Sequence, residues 1–312
     1  MIAKGQRGSG LLAVLMIILI ATLLVAAMVV SQGDSVRRSG LLIGHDRAVE
    51  LLLGYETWAG VLLKRDRAGN ATDSLNEEWA AELAPVATEA GTISGRISDM
   101  QGRININNLV LADSEGKKRT RERLLRLFSL CEVDPLALVA LEDWLDSDDE
   151  PRPLGAEREY YREEGILTMP ANRYLDRVAE LVHLRYLEQD GYDCLAPNLS
   201  ALPVATPVNV NTATPMVLAS LAGGVEVTDT ADLVPEEGFA TVADFLKLEI
   251  WQGRGLDRAG LAVASDFFLA RGEAGNDFGS WALDSLIDRR HGITVWWRTM
   301  SRGPEKKKKE NP

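Results

Sequence analysis

Histidine is scarce in this chain of 312 residues and basic residues are outnumbered by acidic ones, 34 to 46, and each of these features argues against a class of function. The three histidines, His45, His183 and His291, have no spacing that would place them on one metal ion, which argues against histidine-based metal hydrolysis. The net charge of −12 repels phosphate backbones and disfavours nucleic-acid binding, and the one basic run, residues 306–309, is interpreted as a solvated end. No glycine-rich phosphate loop or nucleophile motif is present. The composition therefore does not indicate an enzyme.

Cysteine is also scarce, and the two that occur leave two interpretations open. Cys131 and Cys194 can pair in an oxidising compartment, or they can remain two small buried thiols. The sequence cannot show that they meet, because a disulfide requires a particular distance between the two backbones.

The longest stretch without charge is residues 9–33, which follow a basic leader containing Lys4 and Arg7. Residues 11–30 alone suffice for a membrane-spanning helix of about 20 residues at about 1.5 Å each. A secretory signal peptide has a shorter apolar core and a small-residue cleavage site, whereas here a helical pattern continues. The basic leader predicts a cytoplasmic N-terminus, with the remainder of the chain outside the inner membrane.

Cleavage after Gly8 would keep the apolar helix on the mature protein and leave Ser9 as its first residue, an arrangement typical of type IV prepilins. Gly10 is an alternative cleavage point. Most proteins of this class carry glutamate as the fifth mature residue, and a carboxylate in hydrocarbon is retained only with a partner. Here that residue is Ala13, or Leu15 after cleavage at Gly10. The absence of glutamate suits a subunit with nothing stacked ahead of it.

An apolar stripe continues beyond the charge-free run and predicts a helix over residues 46–65 that packs on a sheet. Gly33, Gly40 and Gly44 are expected to weaken the junction between the two helical halves. The residues of the stripe are Ala48, Leu51, Tyr55, Trp58 and Leu62.

Strand signals bracket a largely helical middle. Residues 91–99, 261–269 and 294–299 are predicted strands, with a turn-rich segment at 271–280. The economical arrangement is α+β, with a helical domain inserted into a domain that is discontinuous in sequence. The predicted divisions are a leader (1–8), a transmembrane helix (9–33), a first pilin-like part (34–104), an inserted α-helical domain (105–256), the last strands (257–302) and a polar tail (303–312).

Two short segments within the helical middle are similar to each other. Both place asparagine beside a helix start, where its side chain is expected to cap free backbone N–H groups. The second segment is also similar to a helix-hairpin-helix loop, but the net charge favours a structural role. The segments are Asn105-Ile106-Asn107-Asn108-Leu109 and Asn209-Val210-Asn211-Thr212-Ala213.

The order and spacing of several motifs resemble the K-type minor pseudopilins of type II secretion systems. The resemblance runs from the leader nearly to Arg302. The matching pieces are Gln6-Arg7-Gly8 before Leu11-Leu12-Ala13-Val14-Leu15, Asp99-Met100-Gln101-Gly102-Arg103-Ile104 followed by the first asparagine segment, Asp143-Trp144-Leu145-Asp146-Ser147-Asp148, Gly155-Ala156-Glu157, Pro170-Ala171-Asn172, and Val208 with the second asparagine segment.

This resemblance implies a fold, partners and a role. The fold is a pilin-like long N-terminal helix on a small antiparallel sheet, with a large inserted all-α domain of the SAM-like or helix-hairpin-helix-like kind. The implied partners are the I- and J-type minor pseudopilins, the major pseudopilin, the prepilin peptidase that cuts between Gly8 and Ser9, and secreted substrates. The implied function is a non-enzymatic tip complex that initiates and caps the periplasmic pseudopilus, held by one N-methylated helix in the inner membrane.

Seven carboxylates fall within seventeen residues and repel one another unless they are solvated or bound to a metal. Spacing at Asp146, Asp148, Glu150 and Glu157 matches an EF-hand, but Pro151 stands where that loop needs glycine. A solvated acidic loop is the alternative. The carboxylates are Asp143, Asp146, Asp148, Asp149, Glu150, Glu157 and Glu159.

The resemblance implies structural calcium in this segment, at one site or at two neighbouring sites. Matching positions assign Asp146, Asp148 and Glu157 as ligands, followed by Asp149 and Asn172. The family usually has an acid after the glutamate of the Gly-Ala-Glu motif, whereas this chain has Arg158, which opposes a second cation.

The sequence leaves two alternatives to the pseudopilin function. In the first, the same carboxylates form a glycosidase acid–base pair, with Trp144 and Tyr160 or Tyr161 as a sugar platform. In the second, the chain is a single-pass membrane receptor or scaffold whose helical domain binds a periplasmic protein. Removal of the leader separates a pseudopilin from such a receptor.

Overall fold

The computed structural model describes residues 7–167, 169–170 and 172–303. Residues 1–6 of the predicted leader and residues 304–312 of the predicted tail lie outside the described residues. The structure begins with one helix, α1, over Arg7–Gly69. Its 63 residues extend for about 95 Å at about 1.5 Å per residue.

The N-terminal half of α1 is apolar and bare. Mean hydropathy reaches 3.1 over 18 residues, and none of that window is buried within the chain. By length and composition, α1 is the one helix in the described part of the chain that could cross a membrane. The predicted transmembrane segment 9–33 lies within it.

The C-terminal half of α1 packs on a sheet, but not with all of the predicted residues. Ala48, Tyr55 and Leu62 are buried as expected. The prediction for Trp58 was wrong, because its side chain is 42% exposed and Ala59 is fully buried in its place. A small residue at that position lets the helix approach the sheet closely.

The strands in chain order are β1 (Leu83–Thr88), β2 (Gly91–Asp99), β3 (Ile104–Asn105), β4 (Leu199–Ser200), β5 (Val208–Asn209), β6 (Leu261–Ala262), β7 (Phe267–Asn276), β8 (Gly279–Asp288) and β9 (Thr294–Arg302). Five of them form one antiparallel sheet in the order β1-β2-β7-β8-β9. A short 3-10 turn at Glu78–Ala80 precedes the sheet.

The predicted turn-rich segment 271–280 was wrong, because β7 and β8 occupy most of it and only Asp277 and Phe278 form the hairpin turn. Gly272 within it serves close packing rather than a turn. A Cβ on Gly272 would lie 2.8 Å from Cδ1 of Tyr55 on α1, so this strand position needs glycine. The predicted strand 261–269 is divided into two strands. β6 pairs with β5 in a separate two-stranded sheet, whereas β7 belongs to the five-stranded sheet.

The expected weakening of α1 at Gly33, Gly40 and Gly44 does not interrupt the helix, which is continuous through these residues. Gly40 and Gly44 receive the ring of Phe278 from the β7–β8 turn, and a Cβ on Gly44 would lie 2.8 Å from Cδ2 of that ring. The side-chain Nδ2 of Asn276 also donates to the Gly44 carbonyl at 2.7 Å. These glycines therefore fix the hairpin on the helix.

A helical region separates β2 from β7 and has its own apolar core, which includes Ile104, Trp144, Tyr161, Phe245 and Leu261. Asp99 pairs with Phe268 in the sheet, so the region leaves and re-enters the sheet at neighbouring positions. The helices are α2 (Asn108–Leu111), α3 (Ser114–Leu130), α4 (Leu136–Leu145), α5 (Arg158–Glu163), α6 (Gln189–Leu195), α7 (Pro215–Ser220) and α8 (Val242–Leu246), with 3-10 turns at Val178–His183, Ala196–Asn198, Val227–Thr230 and Glu249–Trp251.

The two cysteines form a disulfide that joins the end of α3 to α6. The sequence left this pairing open. Met216 lies beside it, with Sδ 3.6 Å from Sγ of Cys131.

The paired asparagine segments do not cap helices as expected. Oδ1 of Asn105 and of Asn209 accepts from the backbone N–H two residues later, at 3.1 Å in both. Asn107 exchanges hydrogen bonds with the backbone N–H and carbonyl of Leu175, and Asn211 does the same with Phe239. A buried amide can pair like a backbone group, so these side chains hold distant loops together.

Candidate functional site

The predicted processing position lies at the start of α1, which includes Gly8 and Ser9 in its backbone. The side chains of these two residues lie outside the described part. Whether the peptide between them is cut stays a prediction.

The acidic segment is held by two helices whose apolar faces enter the helical core. α4 ends at Leu145 and carries Asp143 inward, while Asp146 follows it directly. Glu157 immediately precedes α5. The packing of both helices thus brings oxygen atoms of Asp143, Asp146 and Glu157 within 4.8 Å of one another.

One arginine neutralises part of this cluster. Nη1 of Arg152 donates to Oδ1 of Asp143 at 2.6 Å and also contacts Oδ2 of Asp146. The backbone N–H of Arg152 donates to Oδ2 of Asp143 at 3.2 Å. Burial opposes the charged guanidinium, but its side-chain bonds to Asp143 and Asp146 outweigh burial and raise the pKa of Arg152. Together with the backbone bond, they hold the loop against the end of α4.

Glu157 has no such partner. Its side chain is buried, and both carboxylate oxygens lack a hydrogen-bond donor in the described structure. Burial raises its pKa to about 7, with a further contribution from the negative charges of Asp143 and Asp146. Oδ1 of Asp146 and Oδ1 of Asn172 are likewise buried without a donor. The cluster therefore has several acceptor oxygens and too few donors.

The remaining predicted ligands lie at the rim of the cluster. Asp148 and Asp149 are exposed. Nδ2 of Asn172 donates to Oδ1 of Asp149 at 3.0 Å, and Oδ1 of Asp148 accepts from the backbone N–H of Glu150 at 3.0 Å. Arg158 lies 3.8 Å from Oδ1 of Asp149, so its positive charge faces the rim.

Asp143 was counted in the acidic segment but not among the predicted ligands, although it lies at the centre of the cluster. Its position on the buried face of α4, one residue before Trp144, was the available signal. The sugar-platform hypothesis was wrong, because Trp144 and Tyr161 pack edge to face inside the core with 1% and 0% exposure.

The oxygen atoms fit a hard cation such as Ca²⁺. Calcium ligands lie about 2.5 Å from the ion, so opposite ligands are about 5 Å apart, which matches the spread of the three carboxylates. An ion would satisfy the donor-poor oxygens and offset the repulsion among the carboxylates. The same residues could not hold a soft metal well, since the cluster offers no sulfur or imidazole among the described residues.

A second polar cluster, which the sequence did not predict, joins the helical region to the sheet. Arg289, after β8, contacts both carboxylate oxygens of Asp73 and donates to Oδ2 of Asp66 at 2.9 Å. Its Nε donates to the carbonyl of Ser265 at 3.0 Å, just before β7. The hydroxyl of Ser265 in turn donates to Asp99. The hydrogen bonds therefore connect α1, the sheet and the inserted region.

A helix with one bare apolar half, and with its other half on an antiparallel sheet, defines a pilin-like subunit with a membrane anchor. The family model described as type II secretion system (T2SS), protein K, matches residues 102–204, and a second of the same description matches residues 208–264. The chain belongs to the type II secretion system protein K family.

Individual relatives agree with this assignment. Type II secretion system protein K of Pseudomonas aeruginosa is 32% identical over 317 residues, covering 97% of this chain and 91% of that protein. The Klebsiella pneumoniae protein of the same name is 30% identical and covers 85% of this chain and 87% of its own length. Among solved structures, a chain of the GspK-GspI-GspJ complex of enterotoxigenic Escherichia coli matches with a TM-score of 0.75 at 21% identity, over 85% of this chain and 100% of that one.

Proposed function

We propose that this chain is the minor pseudopilin that joins the I- and J-type minor pseudopilins in a tip complex, which initiates and caps the periplasmic pseudopilus. Family membership carries the assignment, and the fold shared with a chain of the GspK-GspI-GspJ complex supports these partners. The proposed role is structural rather than catalytic.

The position of the inserted region suits a capping subunit. The bare apolar half of α1 is one end of the molecule, while the inserted region is attached where β2 ends and β7 begins. In our proposal the helix waits in the inner membrane with its N-terminus in the cytoplasm, and the inserted region lies in the periplasm. There its bulk blocks the addition of a further subunit ahead of it.

The mass of the N-terminus after co-expression with a prepilin peptidase tests the assembly pathway. We expect a mature chain that begins at Ser9 and carries one added methyl group at its N-terminus. A start at residue 11 would instead place the cut after Gly10. An intact leader, under conditions where a control prepilin is cut, would contradict the pseudopilin and favour a permanently anchored receptor.

A deletion tests the capping role itself. Because Asp99 and Phe268 are paired neighbours, a short Asn-Gly turn in place of residues 101–266 can reconnect β2 and β7 as a hairpin. We expect this variant to insert into the membrane but to change the number or length of the fibres. Unchanged fibres and unchanged secretion would refute the capping role.

We also propose that the acidic cluster holds structural calcium. Asp143, Asp146 and Glu157 would supply carboxylate oxygens, and Asn172 its amide oxygen. The ion would supply only charge neutralisation and fixed loop geometry. Arg152 already neutralises part of the cluster, so we expect fewer ions than a fully acidic cluster would hold.

Replacing Glu157 gives this proposal a distinctive test. Because Glu157→Gln removes a buried charge that lacks a donor, we expect the variant in EGTA to be more stable than the wild type. In calcium the order of stability should reverse. A free calcium concentration about 100 times the dissociation constant stabilises the wild type by about 2.7 kcal/mol.

Glu159→Gln is the matched control, with the same change of charge on an exposed side chain two residues away. Thermal unfolding of the full chain in detergent, with calcium, magnesium or EGTA, measures all three proteins. An equal calcium response in the Glu157 and Glu159 variants would refute the site.

A further inference from the structure

A basic concavity lies on the inserted region, apart from the acidic cluster. Arg119, Arg123 and Arg126 are spaced by four and three residues, so they share one face of α3. They line a cavity of ≈ 220 Å³ together with Arg254, which precedes β6. Five basic and three acidic side chains line this cavity, although the chain has a net charge of −12.

These four arginines have no close counter-charge. Within residues 7–167, 169–170 and 172–303, no carboxylate oxygen lies within 4.0 Å of their guanidinium nitrogens. Nε of Arg126 donates to the Ser220 carbonyl at 2.7 Å, and Nη1 of Arg254 donates to the Gly223 carbonyl at 2.9 Å. These two side chains therefore serve local structure.

Arg123 is the most deeply buried of the arginines that lack a nearby carboxylate. It is only 5% exposed, its two Nη atoms donate to the carbonyls of Gly260 and Ala259, and its Nε is buried without a hydrogen-bond partner in the described chain. Burial, together with the positive charges of Arg119 and Arg126, lowers its pKa to about 10, although Asp257 and Glu122 act in the opposite sense. A buried charge without a close counter-ion is costly.

Arg119 has its donors free. It is half-buried at the wall of the cavity and makes no hydrogen bond or ion pair with any described residue. A guanidinium in this state presents a planar set of N–H groups that matches an oxyanion. The cavity volume is several times that of a water molecule, which occupies about 30 Å³, so a phosphate or carboxylate group fits.

We propose that this cavity, lined by Arg119, Arg123, Arg126 and Arg254, binds an oxyanion through the free donors of Arg119 and the charge of its neighbours. The anion comes either from free phosphate or from an acidic side chain of a polypeptide. In the orientation proposed above, about 50 Å of α1 lies between the apolar span and Gly69, which argues against a lipid headgroup as the source.

Calorimetric titration of the full chain in detergent at low ionic strength tests the proposal. The two probes are inorganic phosphate and the blocked peptide acetyl-Asp-Glu-Asp-amide. We expect Arg119→Gln to weaken binding about tenfold, the loss of one charge-assisted hydrogen bond, while Arg119→Lys, which keeps the charge but not the planar donor set, weakens it less. Lys117→Gln is the control, since it removes the same charge from an exposed position on the same helix.

The two probes separate the sources of the anion. If only phosphate binds, the natural ligand is a free anion, whereas binding of the peptide identifies a polypeptide carboxylate. Either result supports the site if the affinity depends on Arg119. Equal affinities in the wild type and Arg119→Gln, or an equal loss in Lys117→Gln, would overturn it. Since Arg119 makes no internal bond, its variants should unfold at the wild-type temperature, and this check excludes misfolding as the cause.

Discussion

Replacing Arg289 tests how the inserted region is held on the sheet. Its side chain is 3% exposed and that of Asp73 is 1% exposed, so Arg289→Met leaves a buried carboxylate without its cation. Breaking a buried ion pair in this way costs about 3–5 kcal/mol. The Met side chain keeps apolar contact with Phe268, over which the guanidinium now lies at 4.5 Å. The loss should therefore come mainly from charge and hydrogen bonding.

Arg290→Met is the matched control on the neighbouring residue. Arg290 also pairs with an aspartate and also lies over a phenylalanine ring, but its side chain is 27% exposed. Solvent screens such a pair, so we expect a loss of about 1 kcal/mol or less.

Hydrogen exchange of the amides in β2 and β7 measures both variants in the full chain. A loss of about 3–5 kcal/mol raises the population of the open state by roughly two to four orders of magnitude, if exchange reports the equilibrium opening. An Arg289 variant that exchanges like the wild type, or like the Arg290 variant, would refute the reasoning.

Three further predictions concern other parts of the chain. Asp143→Asn should destabilise the protein by about 1–3 kcal/mol even in EGTA, opposite in sign to Glu157→Gln, because it weakens the acceptor of three hydrogen bonds from Arg152; thermal unfolding measures this. Replacing both cysteines with serine should cost about 4 kcal/mol in urea unfolding, from the entropy of a loop closed across 63 positions; a loss below 1 kcal/mol would contradict it. Gly44→Ala should destabilise by about 1–3 kcal/mol through its clash with the hairpin, whereas Gly54→Ala, which meets no atom within 4 Å, should not destabilise.

The sequence predicted those features that depend on local pattern. A run without charge identifies a membrane helix, because each charged side chain buried in lipid is energetically unfavourable. Periodicity indicated the helix that follows, and the position of the strand signals indicated an α+β fold with an insertion. The density of carboxylates drew attention to the acidic segment, and the resemblance to the family pointed to two of the residues that meet there, Asp146 and Glu157.

Only the tertiary structure decided which residues meet across long separations. Asp143 became central because α4 turns it inward, and Arg289 because β8 ends beside Ser265, at the end of the inserted region. Gly44 resembles a weak helix position in sequence, yet it receives a ring from a hairpin more than 200 residues later. The pairing of Cys131 with Cys194 likewise depends on how α3 packs near α6. Such contacts are set by the packing of whole elements, which local sequence patterns do not encode.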